Sequence, residues 1–145
     1  MQTIFHWFGK LHRRVYALNG TVGRRFAWVP CLLLTTTGRK TGQPRRIEIV
    51  FHNIRGRLYV SGMPSHRKRA WLANLEADAR LTVHLKGPVS ADLAATARVI
   101  TDEAERRQVL PDIARAWRRT DLEAMVAWSP LIELAIPGYG IRAAA

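Results

Sequence analysis

The stretch Gly38-Arg39-Lys40-Thr41-Gly42-Gln43-Pro44-Arg45-Arg46 places four positive charges within the eight residues from Arg39 to Arg46. Its two glycines permit a tight backbone reversal that leaves amides free to face an anion. Lys40 is a compact point charge, whereas the arginines are planar forks matched to phosphate or carboxylate. The chemistry on offer is anion binding, with a solvated basic hairpin as the plain alternative. The stretch is not a Walker A loop, because Arg39 and Leu34 stand where that motif needs its glycines. A second basic cluster, His66-Arg67-Lys68-Arg69, opens a helical segment whose first amides also favour anions.

Other chemistries have little support. His6, His12, His52, His66 and His84 show no metal-type spacing with one another, with Cys31 or with a carboxylate, so no metal site is expected. Ser61 and Ser65 lack a G-x-S-x-G frame. The acids form no evident catalytic pair, and Trp71, Trp117 and Trp128 suit a core better than a stacking platform.

The elements that must position the basic turn follow from periodicity. Ile4, Phe5, Phe8, Leu11, Val15 and Leu18 recur at helical spacing over residues 3–18, and Asn19-Gly20 ends that helix. Residues 31–37 read as a strand closing on three threonines, 38–44 as a turn, and 45–54 as a second strand. In that second strand Ile47, Ile49 and Phe51 share one face, and Arg46, Glu48 and Val50 the other. Arg55-Gly56 turns the chain into a third strand, 57–61. A helix is expected within 66–78, and a fourth strand where Leu81, Val83 and Leu85 alternate with Thr82, His84 and Lys86. A fifth strand covers 89–100, and a sixth 131–136. Acids open a helix at Asp102, and Pro111 is expected to divide it into 102–110 and 112–127. Many short strands with few crossover helices exclude a parallel Rossmann sheet and favour an antiparallel barrel.

The 145 residues suffice for one domain, and 48% apolar composition fills one core. The lone Cys31 gives no sign of an oxidising compartment. No segment reaches the ~18 apolar residues of a membrane span, and no secretory signal is present, so the expected location is the cytoplasm. Net charge is +12, yet residues 1–69 hold 14 Lys and Arg against one acid, Glu48. That half of the chain therefore attracts phosphates, polycarboxylates, nucleic acid or anionic lipid. The helix at 1–20 could pack on the domain or lie on an anionic membrane at the inner face of the cell membrane, with Lys10, Arg13 and Arg14 at the headgroups.

Three segments carry a resemblance. Residues 33–45, Leu-Leu-Thr-Thr-Thr-Gly-Arg-Lys-Thr-Gly-Gln-Pro-Arg, resemble the signature of the deazaflavin (coenzyme F420)-dependent nitroreductase family of actinobacteria. Residues 71–78, Trp-Leu-Ala-Asn-Leu-Glu-Ala-Asp, resemble that family's helix, and 100–106 its strand-to-helix junction. The match is collinear over roughly residues 28–110. It implies an α+β fold: a split β-barrel of about six antiparallel strands, residues 21–145, with an N-terminal helix and peripheral helices. It implies coenzyme F420 ahead of FMN, and hydride transfer to a quinone, enone or nitro compound. By position, Arg39, Lys40, Thr41, Gly42, Gln43, Pro44 and Arg45 would hold the phosphate and glutamyl tail. Val60, Ser61 and Gly62 would line the deazaflavin, and Ala70, Trp71 and Asn74 the opposing wall. Ser61 or water would deliver the proton.

The chain also departs from the family. Gly62 replaces a frequent lysine, and the pocket tyrosines of the nitroimidazole-activating member have no counterparts. Two readings thus stand side by side: a reductase of a small hydrophobic electron acceptor, and a non-catalytic lipid- or fatty-acid-binding barrel. A homodimer is compatible with either. Nucleic-acid binding rests on charge alone, without aromatic interleaving, and is not expected.

Overall fold

The computed structural model describes residues 31–85 and 91–137. The expected helix and membrane contact at 1–20 lie outside the described residues.

Six strands form the fold: β1 (Cys31–Thr37), β2 (Pro44–Ile54), β3 (Arg57–Ser61), β4 (Arg80–Leu85), β5 (Ala91–Val99) and β6 (Leu131–Ala135). They close into a barrel in the order β1-β2-β3-β6-β5-β4, with every pair antiparallel. The expected antiparallel barrel with outer helices is what the chain forms. Alternation explains the inside: Leu34, Phe51, Val60, Leu81, Val83, Ala95, Ala97, Ile132 and Leu134 fill the interior. Ile47 and Ile49 pack against this core, as their shared face with Phe51 requires. Arg55-Gly56 is the two-residue turn between β2 and β3, with φ 51° and 81°, and the Gly56 amide donates to Asn53 Oδ1. Positive φ at both positions matches the strand twist of a hairpin.

Three helices lie outside the barrel: α1 (Ala70–Ala77), α2 (Glu103–Ala116) and α3 (Leu122–Trp128). A second core joins Val109, Leu110, Ile113 and Ala114 of α2 and Met125 and Val126 of α3 to Tyr59, Ile100 and Leu131. α1 is shorter than the 66–78 segment allowed, because His66 and Arg67 form a bend and Arg69 is extended. Arg69 has ψ 142°, and the Ser65 amide donates to the Trp128 carbonyl.

Pro111 does not divide the helix; α2 runs through it. An interior proline destabilises a helix by ~3 kcal/mol. Burying Val109, Leu110 and Ile113 on either side of it, each worth ~1.5–3 kcal/mol, outweighs that. The break comes instead at Trp117-Arg118. There the Arg118 amide donates to Arg115 O and the Arg119 amide to Ala114 O, a Schellman closure. Arg118 occupies the left-handed position with φ 53°, where glycine carries no Cβ strain. Arg118→Gly is therefore expected to stabilise the fold by ~0.5–1 kcal/mol. The check is a urea midpoint that rises with an unchanged slope; a lowered midpoint would contradict the assignment.

Candidate functional site

The basic turn is closed on itself. The Gly42 amide donates to Gly38 O and the Gly38 amide to Gln43 O, each at 2.8 Å, and the Gln43 amide donates to Thr41 Oγ1 at 3.2 Å. Gly38 is needed for this closeness, since a Cβ there would stand 3.1 Å from Gln43 O and 3.2 Å from Thr41 Oγ1. Gly42 is needed for its φ of 70°. The expectation of a turn rich in free amides is corrected accordingly. Among the described residues only the Lys40 and Thr41 amides of residues 38–43 carry no hydrogen bond.

Asn74 fastens the turn to α1. Its side chain is 5% exposed, and its Oδ1 accepts from the Arg39 amide at 3.1 Å and from Arg39 Nη1 at 2.9 Å. Arg39 is thus a strut to α1, not a free fork. Lys40, Arg45 and Arg46 differ: each is exposed, and among the described residues none has a carboxylate within ion-pair distance. They surround a cavity of about 410 Å³. Thr36 and Ile47 contribute from the barrel, and Ala70, Trp71 and Asn74 from α1. The Thr36 hydroxyl, on a side chain 2% exposed, has no hydrogen-bond partner among the described residues. Three unpaired cations, two unbonded amides and this hydroxyl suit a ligand carrying several anionic oxygens. Among the described residues no group of His, Cys, Asp and Glu could hold a metal ion.

Arg39, Lys40, Thr41, Arg45, Ala70, Trp71 and Asn74 of the expected contacts therefore meet at one cavity. Gly42, Gln43 and Pro44 belong to the turn and the start of β2 without lining it. Val60, Ser61 and Gly62 do not line it either. Val60 lies in the barrel core, and the Ser61 hydroxyl, on a side chain 3% exposed, donates to Pro130 O at 2.5 Å. That bond occupies the proton expected of Ser61 as a donor. Gly62 gives its room to Arg69: a Cβ there would stand 3.0 Å from Arg69 Cζ and 3.1 Å from Pro130 Cγ. Arg69 Nη2 donates to Met63 O at 2.8 Å, and burial lowers its pKa.

A larger cavity, about 590 Å³, lies between residues 65–69, α2 and the end of α3. Leu72 reaches it from the side of α1 away from Ala70 and Asn74. Trp128 belongs to its wall and is 47% exposed, which corrects the expectation of a core tryptophan. Sequence reasoning also missed Arg106, which is buried and donates to four backbone carbonyls, those of Ile100, Met125, Val126 and Ser129. Nothing local distinguishes it from its exposed neighbour Arg107. A Thr35–His84–Asp92 chain, with contacts of 2.6 and 2.7 Å, ties β1 to β4 and β5 and lines neither of these two cavities.

A model of the F420H(2)-dependent quinone reductase family matches residues 7–126. Among solved structures, an F420-H2 dependent reductase (FDR-A) is similar at 20% identity and TM-score 0.52, with 73% of this chain and 94% of that chain covered. A structure described as F420 reductase is similar at 15% identity and TM-score 0.53, with 74% and 86% covered. A conserved hypothetical protein from Mycobacterium tuberculosis is similar at 17% identity and TM-score 0.57, with 74% and 72% covered. At these identities the structural likenesses establish the split-barrel fold.

Proposed function

The chain belongs to the F420H(2)-dependent quinone reductase family and uses coenzyme F420, and from that premise we propose that its basic cavity holds the coenzyme's anionic tail while the barrel presents the deazaflavin to a quinone. The observation that carries this reading is the set of three cations, Lys40, Arg45 and Arg46, around one cavity, none with a carboxylate partner among the described residues. Lys40 and Arg45 neutralise the phosphodiester, and Arg46 meets the glutamyl carboxylates. The Lys40 and Thr41 amides and the Thr36 hydroxyl complete the donor set. Trp71 and Ala70 wall the opposite side, and Asn74 holds the turn at its distance from α1 through Arg39. The backbone at Val60, Ser61 and Gly62 would border the deazaflavin ring.

When bound and reduced, the coenzyme supplies a hydride from C5 of its deazaflavin, and the protein supplies position and electrostatics. The acceptor needs one proton besides the hydride. Ser61 is engaged with Pro130, which leaves water as the donor that would supply it.

Fluorescence titration of oxidised F420 tests the tail site. A charge-assisted hydrogen bond contributes roughly 1.5–3 kcal/mol. Lys40→Ala and Arg45→Ala are therefore each expected to weaken binding about tenfold to a hundredfold, with thermal midpoints unchanged because both side chains are exposed. Titration curves identical to wild type in both variants would place the phosphate elsewhere. Oxidation of reduced F420 by menadione that proceeds only with protein present tests the acceptor class; no turnover across a quinone panel would refute it.

A further inference from the structure

We propose that the larger cavity beside the first turn of α1, walled by Trp128 and His66, is the acceptor site and takes an uncharged, planar quinone ring. The proposal rests on the function given above and deepens it.

The two cavities differ in how their charges are partnered. Around the basic cavity Lys40, Arg45 and Arg46 have no carboxylate partner among the described residues. In the larger one, Arg107 is paired with both Glu103 and Glu123, at 2.9 and 2.7 Å, and Lys68 with Glu76 at 2.9 Å. Arg106 is saturated by its four carbonyls. Both acids of this wall, Glu103 and Glu123, are paired, while Arg67 and Arg69 have no carboxylate partner among the described residues; an uncharged ring whose oxygens accept hydrogen bonds displaces no ion pair on entering.

The wall also offers a platform. Trp128 is 47% exposed, one of the two exposed large hydrophobic residues among those described. His66 packs against it with centroids 3.9 Å apart and ring planes tilted by 43°, and the Ser65 amide donates to the Trp128 backbone carbonyl at 3.2 Å, which ties the two segments together. An electron-rich indole face favours an electron-poor ring. Next to it, Ser129 is 4% exposed and its hydroxyl has no hydrogen-bond partner among the described residues. A quinone oxygen reaching that hydroxyl would satisfy a buried donor. The volume of about 590 Å³ falls within the range of small-molecule clefts, ~300–1,000 Å³.

Position completes the argument. Arg69 lines this cavity, while its chain neighbour Ala70 lines the basic one. The Arg69 guanidinium rests against Gly62, at the end of β3 where the deazaflavin ring is proposed to lie. An acceptor on Trp128 would therefore sit beside the ring, with its tail-binding cations on the far side of α1.

Calorimetric titration of menadione into full-length protein, F420-free and saturated with oxidised F420, tests this without turnover. Wild type is expected to bind saturably in at least one of the two states. Trp128→Ala should weaken that binding about tenfold or more, and Trp128→Phe should restore it to within about threefold, because stacking and ring burial carry the contact. F420 affinity should change less than about twofold in both variants. Menadione affinity unchanged by Trp128→Ala overturns the proposal. So does an absence of saturable menadione binding to wild type in both states, or a Trp128→Ala variant that loses F420 affinity to the same degree. If wild type binds menadione in a Trp128-dependent way but fails to bind F420, the cofactor reading falls and the quinone site stands.

Discussion

Arg106→Met is expected to destabilise the protein by about 3 kcal/mol or more, the largest stability loss expected of any single substitution considered. Arg106 donates through Nε to Val126 O at 2.8 Å, through Nη1 to Ile100 O at 2.9 Å, and through Nη2 to Met125 O at 3.1 Å and Ser129 O at 2.5 Å. Three of these carbonyls lie in the last turn of α3 or just beyond it, where the helix dipole favours a cation. The fourth closes the link between β5 and α2. Burial without a carboxylate partner lowers the Arg106 pKa, yet a guanidinium stays charged in proteins. Methionine preserves apolar bulk and removes the buried charge, but it leaves the four carbonyls without this donor. For a chain of this size the thermal midpoint should fall by roughly 10 °C. Arg106→Lys should recover part of the loss, since an ammonium cannot span carbonyls in a planar fork. Urea unfolding of the three proteins decides it. A methionine variant within about 0.5 kcal/mol of wild type, below ordinary substitution effects, would show that α3 is held by its apolar face alone.

The second large effect is expected in pH dependence. Burial lowers the His52 pKa from 6.5 to about 4. Its ring meets Trp117 edge-on at 5.0 Å and 66°, and its buried Nε2 has no hydrogen-bond partner among the described residues. The folded state therefore holds a neutral imidazole that the unfolded chain would protonate. The stability this leaves intact is full above pH 6.5 and is lost as pH falls from 6.5 toward 4, because the unfolded state binds the extra proton. The total is on the order of 3 kcal/mol. Carboxylates titrate in the same window, so the readout is the difference between wild type and His52→Phe, which keeps a ring on Trp117 and has nothing to protonate. Relative to wild type, the variant should gain stability steadily as pH is lowered from 7 to 4.5. A stability difference that stays constant over that interval would mean His52 does not titrate as its burial implies.

How much of this was legible beforehand depends on the range of the interaction. The bounds of β1 and β3, the Arg55-Gly56 hairpin, the inward face of Ile47, Ile49 and Phe51, and the basic turn all follow from residues within a few positions of one another. Alternation, glycine freedom and local charge density act at that range, so the sequence determined the strands and the charge of the basic turn by itself. Pro111 misled for the complementary reason. Its local penalty is real, but the burial of Val109, Leu110 and Ile113 against Tyr59, Ile100 and Leu131 is a long-range term and the larger one.

The tertiary structure alone decided which polar groups find partners. Arg39 becomes a strut because Asn74, 35 residues away, is brought beneath it. Arg106 becomes a buried clasp while its neighbour Arg107 stays at the surface with Glu103 and Glu123. Arg69 fills the space that Gly62 leaves, and Trp128 is turned out to the wall of a cavity. Each of these outcomes is set by barrel closure and helix docking. Those steps position side chains to within a few ångströms across tens of residues, and no pattern read along the chain carries that information.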